Sequence, residues 1–90
     1  MRVLKGFVVR DIAGVRAAVA AGGEAAAFSG MVVLSNHAAE LIWHLLEEGT
    51  EREKIYEKMT ETYGIPEATA KQDADRFLAE LSAAGVLRDE

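Results

Sequence analysis

Between Met31 and Gly49 the chain passes from a short apolar run into an amphipathic helix with almost nothing in between. Met31-Val32-Val33-Leu34 reads as a strand. It ends at Ser35 and Asn36, either of which can accept a hydrogen bond from the orphan N–H groups that open a helix. Ala38, Leu41, Ile42 and Leu45 then recur at the spacing of a buried stripe, and Ala39, Trp43 and Leu46 widen it. Gly49 ends the helix. A strand that feeds straight into a helix fixes how sheet and helices meet. In a chain of 90 residues that corner is most of the fold.

The flanking segments fit around it. From Gly6 to Ile12 the chain alternates, with Phe7 and Val9 on one strand face and Val8, Arg10 and Ile12 on the other. Ala13-Gly14 offers a turn. Val15, Ala17 and Val19 share one face of a second strand. Ala20 to Gly30 reads as a small-residue connector with a short extended piece at Ala25 to Phe28. After Gly49, Thr50-Glu51-Arg52-Glu53 matches a capping box in which Thr50 caps a second helix and Glu53 reaches back. That helix buries Ile55, Met59 and Tyr56 or Tyr63, and Gly64 stops it. Pro66 suits the first turn of a third helix, whose stripe is Ala70, Ala74, Phe77, Leu78 and Leu81. Gly85 ends it, and Val86-Leu87 folds back on the core. The order is βββααα: an α+β domain, a three-stranded antiparallel sheet followed by three helices, winged helix-turn-helix-like, spanning 1–90 as one domain.

With no cysteine in the chain, disulfides, thiolate metal sites and a catalytic thiol are excluded. Half the residues are apolar, enough for a packed core. No apolar run approaches membrane-spanning length and no signal-peptide pattern opens the chain, so a cytoplasmic protein with no membrane partner is expected. The net charge of −5 is uneven: residues 1–35 hold four basic and two acidic side chains, residues 36–90 six and thirteen. An acidic helical half is a poor match for nucleic acid, whose binding rests on neutralising phosphates.

No catalytic constellation emerges. His37 and His44 stand two helical turns apart, about 10 Å, too far to share one metal. Glu47, Glu48, Glu51 and Glu53 read as solvated charges around a helix junction. Gly22-Gly23 lacks the pattern of a phosphate loop. Ser29 and Ser35 have no base nearby in sequence. Trp43 reads as a core anchor. No enzyme activity, cofactor or metal is expected.

The ordered set Gly6-Phe7-Val8-Val9-Arg10, Phe28-Ser29-Gly30-Met31, Leu34-Ser35-Asn36 with Ile42-Trp43-His44-Leu45-Leu46, Thr50, Ile55, Tyr63-Gly64, Asp73 with Phe77-Leu78 and Leu81, and Gly85-Val86-Leu87 resembles the PqqD family across nearly the whole chain. The family pattern has Leu-Asn directly, whereas here Ser35 either intervenes between Leu34 and Asn36 or replaces the usual Asn, and His37 is unusual. The resemblance implies a peptide chaperone that takes the leader of a ribosomally made precursor peptide as an added strand, against the last helix. It then presents the complex to a modifying enzyme, a radical S-adenosylmethionine protein in pyrroloquinoline quinone biosynthesis or another enzyme in a related pathway. The expected peptide-binding residues are Gly30, Met31, Val32, Val33 and Leu34 on the strand, with Ala70, Lys71, Ala74, Arg76 and Leu78 on the third helix. The residues agree with this on their own account: Met31 to Leu34 carries no charge, proline or bulge to guard an edge, and strand addition uses such an edge.

Two other readings compete. One is a winged-helix DNA-binding regulator, whose reading helix from Glu67 to Ala84 would hold Lys71 and Arg76 against Glu67, Asp73, Asp75 and Glu80. The other is a dimerisation subunit that buries its edge on a copy of itself. The expected oligomeric state is a monomer or weak homodimer.

Overall fold

The computed structural model describes residues 1–28 and 30–89. Ser29 and Glu90 lie outside the described residues, and with them the reading of Ser29. The elements run β1 (Arg2–Val3), β2 (Phe7–Ile12), β3 (Val15–Ala20), a 3₁₀ helix (Gly23–Ala27), β4 (Met31–Val33), α1 (His37–Glu48), α2 (Arg52–Tyr63), α3 (Glu67–Ala83) and β5 (Leu87–Arg88). The expected sheet of three antiparallel strands is present, ordered β2-β3-β4, and three helices follow it. The expected third strand is thus β4.

The hairpin β2–β3 turns at Ala13 and Gly14, at φ 54° and 83°. Positive φ at both central positions gives the twist that adjacent strands need. Phe7 pairs with Ala20 and Ile12 with Val15 across it. Val9, Ala18 and Val32 then stand abreast on the face toward the helices.

The structure departs from the sequence reading at three joins. Residues Ala25 to Phe28 are not extended: Gly23–Ala27 is 3₁₀ helix, and Ala25 is fully buried. This turn is docked by Ala25 N–H donating to the Lys5 carbonyl at 2.9 Å. Gly22 passes so close to Gly6 that a Cβ on Gly6 would lie 1.8 Å from the Gly22 oxygen. Second, Thr50 does not cap α2. Its N–H donates to the Met1 carbonyl at 2.8 Å and its own carbonyl accepts from the Met1 nitrogen at 2.6 Å. With its backbone committed to the start of the chain, Thr50 stays outside the helix, and Glu51 takes the cap position without a side-chain bond. Third, β1 and β5 form a two-stranded sheet, Val3 opposite Leu87. Strands of two residues show no periodicity to read. Smaller differences are Pro66, one residue before α3, and Tyr63, which is exposed while Tyr56 is the half-buried ring.

α1 is central. Trp43, Ile42 and Leu46 meet Ile55 and Met59 of α2, Ala70, Ala74, Leu78 and Leu81 of α3, and Val86. Trp43 is completely buried and meets the Phe7 ring edge-on at 5.3 Å. Phe28 also packs edge-on to Phe7, at 5.5 Å. Among the described residues the Trp43 Nε1 has no hydrogen-bond partner. Three polar ties lock the layers. Arg2 holds Glu24 with two bonds, at 2.7 and 3.1 Å. Arg16 of β3 reaches both Asp11 and Glu40 of α1, at 3.2 and 2.9 Å. Arg52 of α2 donates to Asp75 of α3 at 2.8 Å, and the Tyr56 hydroxyl donates to the same oxygen.

Candidate functional site

The strand–helix corner is built as its residues dictate. Asn36, extended at φ −154°, caps α1: its Oδ1 accepts from the Ala39 N–H at 2.8 Å. This resolves the choice between Ser35 and Asn36. The preceding strand is an edge of its sheet. Leu34 N–H donates to the Arg16 carbonyl at 2.9 Å, and Val32 stands opposite Ala18 two residues earlier. Backbone direction alternates along a strand, so Val32 spends its N–H and C=O on β3. Met31 and Val33 turn theirs to the open side, where no described backbone group pairs with them.

At the C-terminal end of this edge a cleft of about 230 Å³ opens between the start of α1 and one flank of α3. Ser35, Asn36, Ala38, Ala39 and Ile42 line one side, and Asp73, Arg76, Phe77 and Glu80 the other. Its lining mixes apolar Ala38, Ala39, Ile42 and Phe77 with charged Asp73, Arg76 and Glu80. Arg76 faces Asp73 at 3.6 Å, both well exposed, so that contact adds little to stability and Arg76 is available to another carboxylate.

Of the residues expected to bind peptide, Gly30, Met31, Val32, Val33 and Leu34 fall on or beside the open edge. Gly30, Met31 and Val33 are exposed and Leu34 is buried. On α3 the expectation needs correcting. Ala70, Ala74 and Leu78 are fully buried against α1 and α2 and offer a ligand no surface. Lys71 is one residue past Ala70, on the flank that carries Asp75 toward α2, and so turned from the cleft by the 100° step of a helix. Arg76 does reach the cleft. The cleft is lined instead by Asp73, Phe77 and Glu80, with Ser35, Asn36, Ala38 and Ile42 across from them, none of which the sequence reading places on the strand's open side apart from the cap position. The periodicity that marks Ala70, Ala74 and Leu78 as the centre of the buried stripe marks Asp73, Phe77 and Glu80 as its margin, and that signal was readable. On α3, the reading helix of the DNA-binding alternative, Lys71 and Arg76 stand among Glu67, Asp73, Asp75 and Glu80.

His37 and His44 sit on separate turns of α1, facing Glu40 at 3.4 Å and Glu47 at 2.9 Å. No group of three potential metal ligands occurs among the described residues, and no described helix is long and apolar enough to cross a membrane.

No curated protein matches the chain. A solved structure described as TbiB1 in complex with the TbiA(beta) leader peptide superposes with a TM-score of 0.74 at 22% identity, over 100% of this chain and 98% of that one. At that identity the likeness is one of fold. The family model for coenzyme PQQ synthesis protein D (PqqD) matches residues 10–87. From the β2–β3 hairpin through the corner at Asn36 to the end of α3, this chain belongs to the PqqD family.

Proposed function

We propose that this chain is a single peptide-binding domain, without catalytic activity of its own, that takes the leader of a ribosomally made precursor peptide as a fourth strand beside β4. One observation carries the reading: β4 presents the outward backbone groups of Met31 and Val33 next to a cleft lined by both apolar and charged side chains. Backbone pairing supplies affinity, and the cleft selects a side chain. The leader-bound structure of the TbiB1 protein, with the same fold, supports it. So does membership of a family described by coenzyme PQQ synthesis. The revised contact set is Gly30 to Leu34 with Ser35, Asn36, Ala38, Ile42, Asp73, Arg76, Phe77 and Glu80. The bound leader is delivered to a modifying enzyme, a radical S-adenosylmethionine protein in pyrroloquinoline quinone synthesis or the corresponding enzyme of a related pathway, in the cytoplasm.

Titrating the ¹⁵N-labelled chain with the TbiA(beta) leader peptide, and with the leader of any short precursor found among the neighbouring genes, tests this. Amide shifts should concentrate at Met31–Leu34 and along Asp73, Phe77 and Glu80. Shifts confined to the β2–β3 turn or to α2 would refute strand addition at β4.

A further inference from the structure

The register of β4 fixes which leader side chains can reach the helices. Met31 and Val33 turn their backbone groups to the open side of the sheet, while Leu34 donates to the Arg16 carbonyl and Val32 stands opposite Ala18. Both strand pairs of this sheet are antiparallel, and an antiparallel strand pairs slightly better than a parallel one. Resting on the reading above, an antiparallel leader places one residue, p, beside Val33 and residue p+2 beside Met31. The side chains of p and p+2 then share the exposed outer face with Val33 and Met31, because side chains alternate across a strand. Only p−1, opposite Leu34, and p+1, opposite Val32, point toward the helices. Residue p+1 extends the row Val9, Ala18 and Val32, which is apolar throughout. Residue p−1 stands at the end of β4, where the cleft opens.

The charges around that cleft are unbalanced. Asp73, Arg76 and Glu80 supply two carboxylates and one guanidinium. Arg76 turns back to Asp73, and Glu80, one turn further along α3, makes no ion pair among the described residues. Glu80 also stands in the last turn of α3, which holds no basic residue. The C-terminal end of a helix carries partial negative charge and favours a cation nearby. The carboxylate and the helix end therefore favour positive charge at the same place. Beside them lie Ala38, Ala39, Ile42 and Phe77. The methylene stem of a lysine or arginine can lie along that apolar surface while its head stays in water. An acidic p−1 would meet Glu80 and the negative helix end together. We propose that the cleft reads a basic side chain of the leader placed two residues before an apolar one, so that the recognised sequence is basic, any, apolar.

The test pans a phage-displayed library of random dodecapeptides on the full chain and measures the enriched peptides by fluorescence anisotropy. Peptides enriched on the native chain should carry Lys or Arg two positions before Leu, Ile, Val or Phe, and Val33→Pro should abolish their binding. Glu80→Lys suits the end of α3 and should keep the native melting temperature, and panning on it should select Asp or Glu at the same position. Glu80→Gln should weaken a basic peptide about fivefold at low salt, as for one exposed ion pair, and less at high salt. The same peptide with its basic residue changed to Gln should bind the native and Glu80→Gln chains alike. Peptides that need the β4 edge but carry no charge preference, or keep the same preference on Glu80→Lys, overturn the basic position alone. A motif in the reverse order, apolar before basic, means a parallel strand and overturns the register. Enriched peptides that bind Val33→Pro as well as the native chain, or no enrichment at all, overturn strand addition at β4 itself.

Discussion

Trp43 is completely buried between the sheet and the helices, edge-on to Phe7. Trp43→Ala should cost about 3–5 kcal/mol, most of the stability of a domain this size. A melting temperature within a few degrees of native would refute that. Two capping positions contrast with it. Asn36→Ala removes an observed bond to the first turn of α1 and should cost about 1 kcal/mol in a denaturant melt. Thr50→Ala should cost almost nothing, because Thr50 ties Met1 through its backbone alone. An equal loss from both variants would restore Thr50 as a cap. Glu24 supplies a pH-dependent tie. The bonds from the Arg2 guanidinium, then the one from the Lys5 N–H, hold its carboxyl down from 4.5 to about 2. A carboxyl lowered by folding stabilises fully above its unfolded value and loses that contribution as pH falls through the folded one. The tie therefore loosens between about pH 4.5 and 2. A carboxyl NMR titration of Glu24 should find the low midpoint, moving up toward 4.5 in Arg2→Ala and in high salt.

The two backbone directions of β4 differ: one is spent on β3 and the other faces the open side of the sheet. Val33→Pro removes an outward N–H at an edge strand, where proline is tolerated. It should abolish leader binding with the melting temperature largely kept. Val32→Pro instead breaks the bond to β3 and should lower the melting temperature as well. Leader binding that survives Val33→Pro would place the peptide elsewhere. The long, periodic elements were legible from sequence: α1, the β2–β3 hairpin and the order of strands before helices all follow from stripes and turn residues. What sequence alone could not supply were facts settled between distant segments. The Thr50 cap failed because Met1 claims that backbone, and the 3₁₀ turn at Gly23–Ala27 depends on Lys5 and Gly6. In α3 the buried stripe was legible from its period, but not that its centre would be fully covered by α1 and α2 while its margin lines a cleft. The period gives which residues share a face, and only packing tells which neighbour that face meets.

Over the whole molecule, charge divides as the layers do. The acidic excess lies in the helical part, and the sequence pI is about 5.0. α3 carries Glu67, Asp73, Asp75 and Glu80 against Lys71 and Arg76. At neutral pH and about 0.1 M salt, the chain should run through a DNA column unretained. Retention that salt reverses would revive the DNA-binding reading. Deep burial of the chain's single tryptophan has a spectroscopic consequence. Its emission should be blue-shifted, redden only when the protein unfolds, and stay blue while a tryptophan-free leader is added beside β4, since Trp43 itself is not among the cleft-lining residues. Intrinsic fluorescence thus separates folding from recognition without a label: variants can be sorted optically into those that lose their structure and those that lose only their ligand.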